Sequence, residues 1–166
     1  MKRLLRQLII LPLLIWVACE DEKLSNSDDD TIYEYESHSN NRVSSLLMSE
    51  SDYSDWVNND GFSDGSTRLP LVQDVYNKFS DKYDFIFFVL NEPTIPENLY
   101  YYGKLIGVSN DVQGIGKSVY DYTSDYGSSG KLKAIMQLTG LEYLKYGPAL
   151  HEIAHQWANF ALSTHS

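Results

Sequence analysis

PALHEIAHQWANFAL, residues 148–162, is the strongest helix signal in this chain. Gly147 and Pro148 interrupt the preceding segment, and proline suits the first helical turn because that turn does not use its N–H. On a helical projection, one face carries the large apolar side chains Leu150, Ile153, Trp157 and Phe160. The opposite face carries His151, Glu152 and His155. We therefore predict an amphipathic helix whose apolar face is anchored in a core.

Three segments before this helix have the composition of β-strands. DFIFFVLN, residues 84–91, is a short apolar run bounded by charge and followed by Pro93, which indicates a buried strand. The second and third candidates are YYYGKLIGVSN, residues 100–110, and KLKAIMQL, residues 131–138. Between them, residues 111–130 have the glycine, serine and aspartate density of a long surface loop.

Helices are predicted on both sides of these strands. VSSLLMSESDYSDWVNN, residues 43–59, is a helix candidate, and residues 69–83 carry apolar side chains at helical spacing. LEYLKY, residues 141–146, is a candidate for a short helix. The order helix, strand, strand, strand, helix is an α+β pattern, so we expect an α+β fold built on one small sheet.

The composition limits the class of protein. At 166 residues there is room for one ordinary domain, and 43% hydrophobic and 13% aromatic residues suffice for a core. The formal charge is −10. Nucleic acid is not an expected partner, because phosphate binding needs a basic face.

The amino-terminal segment MKRLLRQLIILPLLIWVACE has a basic start, a short apolar run from Leu8 to Ala18, and then Cys19. This pattern is typical of a secretory signal, and the run is shorter than the roughly 20 residues of a membrane span. The junction resembles a bacterial lipoprotein signal, which implies removal of residues 1–18 and a lipid anchor on Cys19. Trp16 stands where that pattern usually has leucine. A plain signal peptide or an uncleaved anchor is the alternative.

Residues 19–42 are acidic, rich in serine and asparagine, and nearly free of aliphatic side chains. Such a segment cannot bury enough apolar surface to offset the entropy of ordering, so we predict a flexible tether before a folded domain at 43–166. Glu20, Asp21 and Glu22 loosely resemble the acidic surface-export signal of Bacteroidetes lipoproteins. The resemblance implies the bacterial cell envelope, at the outer membrane or cell surface. A solvated linker is the simpler interpretation of the same residues.

The polar face of the last helix has the residue types of a metal site. His151 and His155 lie one helical turn apart, so that both imidazoles can converge on one ion. Glu152 lies to the side of that pair, where its carboxylate can accept a proton from a water molecule held by the ion. Aspartate would be too short for this reach, and glutamine could not accept the proton.

HEIAHQW, residues 151–157, resembles the HExxH signature of zinc metallopeptidases (zincins), and in particular the HExxHxW form of gluzincin aminopeptidases. The resemblance implies zinc as the cofactor, His151 and His155 as its ligands, Glu152 as the general base, and a peptide or protein as the substrate. It also implies an upstream sheet whose edge strand lines the substrate cleft. For that edge strand we expect KLKAIMQL, residues 131–138.

The sequence departs from that family at several points. Ala158 and Ala161 stand where the metzincin branch has glycine and histidine. The Gly-Ala-Met-Glu-Asn motif of the aminopeptidases is absent, so exopeptidase activity is not implied. Eleven residues follow His155, whereas a gluzincin takes its third ligand, a glutamate, from a later helix. We therefore expect a truncated zincin that lacks the carboxyl-terminal subdomain and has little activity alone.

A third metal ligand has three candidates within the chain: His165, Glu142 and His38. His165 lies ten residues past His155, and the other two have no supporting spacing. The alternative function is a non-catalytic surface lipoprotein that binds peptide or glycan, with histidines that are incidental to an amphipathic helix. Stoichiometric zinc uptake that depends on His151 would discriminate between the two functions.

Overall fold

The computed structural model of the chain describes residues 31–38, 43–113 and 117–158. The expected signal peptide at 1–18 and the proposed lipidation residue Cys19 lie outside the described residues. Phe160, Ala161 and His165 also lie outside them. No helix in the described part is long and apolar enough to span a membrane.

The described part is a mixed α/β structure with three α-helices and several small sheets, which is compatible with the predicted α+β class. The helices are α1 (Glu50–Asn58), α2 (Gly65–Lys78) and α3 (Pro148–Ala158). The strands are β1 (Glu34–His38), β2 (Val43–Leu47), β3 (Phe85–Val89), β4 (Gly103–Gly107), β5 (Ser109–Asn110), β6 (Tyr120–Asp121) and β7 (Ala134–Leu138). Short 3-10 helices span Thr123–Tyr126 and Leu141–Leu144, so the predicted loop at 111–130 contains a small amount of regular structure.

The largest sheet has three strands in the order β3-β7-β4. β3 runs parallel to β7, whereas β4 runs antiparallel to it. All five residues of β7 are buried, as in a strand that is covered on both faces. The expectation that KLKAIMQL forms the edge strand is therefore wrong. Its continuous apolar run occupies the centre, and β4, with two glycines and a lysine, forms an edge.

Alternate residues of this sheet point to its two faces. On one face, Ile135 of β7 packs with α1 and α2 in the main core. That core contains the buried side chains Trp56, Val57, Phe62, Leu71 and Val72. Trp56 also donates its indole N–H to Gln137 Oε1 over 2.8 Å, which satisfies two polar groups inside the core. The opposite face of the sheet is covered by α3, which lies over β4 and β7.

Capping side chains set where the first two helices begin. Asp64 accepts a hydrogen bond from the Ser66 N–H at 2.8 Å, so α2 begins four residues before the predicted start. Ser49 accepts from the Asp52 N–H at 3.1 Å and begins α1. The predicted helix at 43–59 is therefore helical only in α1, because its first five residues pair as β2.

β1 lies in the segment for which composition alone predicts a flexible tether, and it pairs with β2. Asp74 of α2, which is 1% exposed, accepts hydrogen bonds from the Tyr33 N–H at 3.2 Å and the Tyr35 hydroxyl at 2.8 Å. The Tyr35 ring packs edge-to-face on Phe79, with centroids 5.5 Å apart. The tether prediction is therefore wrong for residues 34–38. A buried carboxylate and an aromatic ring elsewhere in the fold supply the anchoring that the segment's own composition lacks.

Candidate metal centre

α3 presents its polar side to the sheet. Gly147, with a φ of 113°, turns the chain into the helix, and its carbonyl accepts the His151 N–H at 2.9 Å. Gln156 is 4% exposed and donates from Nε2 to the Ser109 carbonyl at 3.0 Å. Glu152 accepts a hydrogen bond from the backbone N–H of Leu105 in β4. These bonds determine which face of α3 meets the sheet.

Two large side chains of the predicted apolar stripe of α3 face outward instead, whereas Ile153 is partly buried. Leu150 is 75% exposed and Trp157 is 54% exposed. Trp157 contacts Phe85 edge-to-face, with ring centroids 5.8 Å apart, and this covers only part of the indole. The prediction that Leu150 and Trp157 anchor the helix in a core is wrong, because the hydrogen bonds of Glu152 and Gln156 turn the polar face inward.

The structure brings His151, Glu152 and His155 together, as their spacing predicts. The two imidazole rings are nearly perpendicular, with centroids 4.8 Å apart. His155 Nε2 lies 4.0 Å from Glu152 Oε2. One ligand atom from each of the three residues lies within 4.8 Å of the others, so this group can hold a metal ion.

The three residues of this metal group differ in their access to solvent. His151 is exposed, whereas the side chains of His155 and Glu152 are 22% and 14% exposed. Burial raises the pKa of the Glu152 carboxyl above its usual range, while His155, His151 and the Leu105 N–H act in the opposite direction. A carboxylate whose pKa is raised is better suited to accept and return a proton near neutral pH.

Gly103 of β4 lies directly against Glu152. A Cβ added at Gly103 would stand 2.7 Å from Glu152 Cγ and 3.0 Å from Leu138 Cδ2. The site therefore depends on a glycine and on the Leu105 N–H, both from a strand some fifty residues earlier in the chain. Sequence reasoning missed both residues. The available signal was a glycine inside a strand, which often marks a close approach of another group.

A cleft of about 660 Å³ opens along β4 beside the metal group. Its lining residues are Tyr101, Gly103, Lys104, Leu105, Gly107, Lys117, Ser118, Tyr120, Glu152 and His155. Gly107 leaves room for the hydroxyl of Tyr120, which lies where a larger residue would place its side chain. The cleft is therefore bounded by the edge strand of the sheet on one side and by the metal group on the other.

Within the described residues, no third ligand outside residues 151–155 joins the metal group. His38 lies in β1 with its Nε2 within 3.0 Å of Ser45 Oγ, and Glu142 lies in the 3-10 helix Leu141–Leu144. His165 is outside the described part of the chain. The structure thus places the two imidazoles and the carboxylate that the sequence predicts in one group that could hold an ion.

The chain matches no protein-family model, and no curated protein or solved structure is significantly similar to it. The resemblance of HEIAHQW to the zincin signature therefore rests on seven residues. Function must be inferred from the geometry and chemistry of the site itself.

Proposed function

We propose that this protein is a zinc-dependent metallopeptidase in which His151 and His155 hold the ion and Glu152 is the general base. The observation that carries the proposal is the cluster of two imidazoles and a carboxylate, with ligand atoms within 4.8 Å of one another, beside an open cleft. The HExxH spacing gives that cluster its chemical interpretation. The substrate is a peptide or protein.

The imidazole nitrogens of His151 and His155 are a ligand type that zinc commonly binds. Imidazole nitrogen binds zinc at about 2.0–2.1 Å. Two ligands of a tetrahedral ion then stand roughly 3.3 Å apart, so modest side-chain rotation would close the group around an ion. Bound zinc supplies Lewis acidity toward water and toward a carbonyl oxygen. Among the described residues, two imidazoles leave the site a ligand short of the usual protein set, so we expect weak zinc binding and little hydrolysis.

Glu152 accepts a proton from the attacking water and passes it to the leaving amine. Two features of β4 hold it in place, because Gly103 leaves room for its methylene groups and the Leu105 N–H binds its carboxylate. The exposed His151 leaves one side of the metal group open to solvent and substrate. These features support a hydrolytic role for Glu152 over a purely structural one.

β4 offers an extended peptide a place to bind. Alternate residues of an antiparallel strand direct their backbone groups to the partner strand. The Tyr102 carbonyl accepts the Thr139 N–H, and the Val108 N–H donates to the Lys133 carbonyl. The alternate residues between them therefore direct their backbone groups away from β7 and into the cleft; these are Gly103, Leu105 and Gly107. A peptide can bind to such an edge as an added strand, which supports a peptide as the substrate class.

The first test combines zinc uptake with hydrolysis. The purified chain, His151→Ala and His155→Ala are titrated with zinc by calorimetry and assayed on casein. We expect weak binding of one zinc ion by the wild-type chain and a loss of at least about ten-fold in affinity for each alanine variant, because each removes a ligand. Glu152→Gln keeps both imidazoles and should keep zinc, while any zinc-dependent hydrolysis is lost.

His38→Ala is the matched control, because His38 lies in β1 and outside the metal group. It should bind zinc as the wild-type chain does. Zinc affinity that is unchanged in His151→Ala and His155→Ala would contradict the proposal. A folded chain that takes up no zinc would favour the alternative, a non-catalytic surface protein that binds peptide or glycan in the tyrosine-lined cleft.

The cellular location belongs to the same proposal. The basic start, the apolar run and the Ala18-Cys19 junction support a chain anchored to the bacterial cell envelope by a lipid on Cys19. Expressed in a bacterial host, the wild-type chain should incorporate a fatty-acid probe and sediment with membranes. Cys19→Ala should lose the label. Equal labelling of the two chains would show that the anchor is not on Cys19.

A further inference from the structure

The cleft beside the metal group contains polar side chains that the proposed chemistry does not use. Glu152 lies against Gly103, and the Tyr120 hydroxyl lies over Gly107. The two glycines are four residues apart in β4, a separation of about 13 Å along the strand. Lys117 and Ser118, which precede Tyr120 in the chain, line the same cleft. A bound peptide that extends along β4 from Glu152 would therefore pass these side chains.

Lys117 differs from other lysines of this protein in its surroundings. Three lysines form ion pairs with aspartates: Lys104 with Asp60 at 3.2 Å, Lys131 with Asp84 at 3.4 Å, and Lys133 with Asp111 at 3.3 Å. Lys117 forms no ion pair with any residue that the structure describes. Lys117 lacks this pairing although the chain has 23 acidic residues and a formal charge of −10, so that acidic partners are abundant.

The ammonium group of Lys117 is also partly withdrawn from water. The residue is half-buried in the cleft wall, and burial lowers its pKa below the ordinary value. A partly desolvated cation costs free energy unless an anion pairs with it. A carboxylate that enters the cleft would supply that partner and form a charge-assisted hydrogen bond.

We propose that Lys117 binds a carboxylate of the substrate, so that the protein prefers peptides with an acidic residue a few positions from the cleaved bond. An extended peptide rises about 3.3 Å per residue, so the 13 Å along β4 corresponds to roughly four residues. This inference rests on the proposed function and specifies its substrate class.

Peptide binding tests the inference without depending on hydrolysis. Labelled alanine-serine peptides carry one glutamate at successive positions, and a matched series carries glutamine instead. Dissociation constants for the full chain are measured by fluorescence anisotropy, with and without zinc. We expect the best glutamate peptide to bind about five-fold more tightly than its glutamine counterpart, as for a partly exposed ion pair.

Variants identify the group responsible for the preference. Lys117→Met should abolish it, and Lys117→Glu should transfer it to the corresponding lysine peptide. Lys131→Met is the matched control, since Lys131 is exposed, pairs with Asp84 and does not line the cleft, so the preference for glutamate should persist.

Equal binding of the glutamate and glutamine peptides would overturn the inference, and so would a preference that survives Lys117→Met. Tighter binding of a uronic acid oligosaccharide than of any glutamate peptide would also overturn it, because the carboxylate would then belong to a glycan. If glutamate peptides bind through Lys117 but the chain takes up no zinc through His151 and His155, the carboxylate subsite stands and the metallopeptidase proposal fails. Different outcomes would therefore contradict the carboxylate subsite and the proposed metallopeptidase function.

Discussion

Gly103 lies directly beneath Glu152, and its lack of a side chain allows the carboxylate to reach β4. A Cβ at this position would meet Glu152 Cγ at 2.7 Å and Leu138 Cδ2 at 3.0 Å. Leu138 is fully buried in the central strand and has little room to retreat. An added methyl group would therefore displace Glu152 from its hydrogen bond with Leu105.

We expect Gly103→Ala to lower the free energy of unfolding by about 1–3 kcal/mol, because the added group overpacks the contact between α3 and β4. Urea denaturation measures the change. Combining it with Glu152→Ala should recover part of the loss, since the clashing side chain is then absent. Gly65→Ala is the control, because a Cβ at Gly65 meets only Arg68 Nη2 at an ordinary 3.7 Å. Similar losses in both glycine variants would show that the effect does not arise from Glu152.

At the level of elements, the orientation of α3 results from a competition between apolar and polar contacts. Its apolar stripe would favour burial, yet Leu150 and Trp157 are exposed while Gln156 is buried. Gln156 bonds to the Ser109 carbonyl and Glu152 bonds to the Leu105 N–H. Because the sheet edge provides these polar partners, the helix rests on its polar side, and the metal group comes to line the cleft.

Asp81 connects the segment after α2 to the loop that precedes β7. Its Oδ2 accepts hydrogen bonds from Ser128 Oγ at 2.9 Å, Ser129 N–H at 2.7 Å and Ser129 Oγ at 2.9 Å. Burial alone would raise the pKa of Asp81, but the hydrogen bonds from Ser129 and Ser128 outweigh it and lower the pKa below 3.8. A lowered folded-state pKa contributes stability above the unfolded-state pKa, and this contribution is lost as the pH falls through the folded-state value.

We expect Asp81→Asn to lower the free energy of unfolding by about 1 kcal/mol at pH 7, because a charged acceptor is replaced by a neutral one. The gap in free energy of unfolding between variant and wild type should shrink as the pH falls below the ordinary aspartate pKa and through the lower folded-state value, because the wild-type carboxyl is then progressively protonated. Urea titrations at a series of pH values measure the gap. The exposed Asp55→Asn should leave stability nearly unchanged across the series. A gap for Asp81→Asn that is constant with pH would contradict this account.

On the scale of the whole molecule, the outer face of α3 is an apolar surface with few contacts. The exposed Leu150, Ala154 and Trp157 form its stripe. Leu144 and Tyr146, just before the helix, are 50% and 77% exposed. An exposed apolar surface of this kind promotes association.

We expect the chain to self-associate through this face at high concentration, and Leu150→Lys to reduce the association. Stability should change by less than about 0.5 kcal/mol, because Leu150 is exposed. Light scattering coupled to size-exclusion chromatography measures the molar mass as a function of concentration. Val112→Lys, at an exposed valine outside α3, is the control. A wild-type chain that stays monomeric throughout would contradict the prediction.

The sequence predicted the elements of the fold better than their arrangement. DFIFFVLN, KLKAIMQL and the helix after Pro148 all form the predicted element, because apolar periodicity and proline placement act within a few residues. The sequence predicts KLKAIMQL at an edge, but the strand lies in the centre, since strand order depends on pairing between distant segments. Composition predicts a tether at residues 34–38, but they form β1, because Asp74 and Phe79 anchor them.

At the candidate site, the HEIAHQW spacing alone places His151, Glu152 and His155 on one side of a helix, because helical geometry brings residues three and four apart together. The spacing does not show that this side contacts β4, where Gly103 makes room for Glu152 and the Leu105 N–H binds it. Nor does it show that a cleft containing Lys117 runs beside the metal group. These two features come from packing and hydrogen bonds between distant segments, whereas local periodicity sets only which residues share a face.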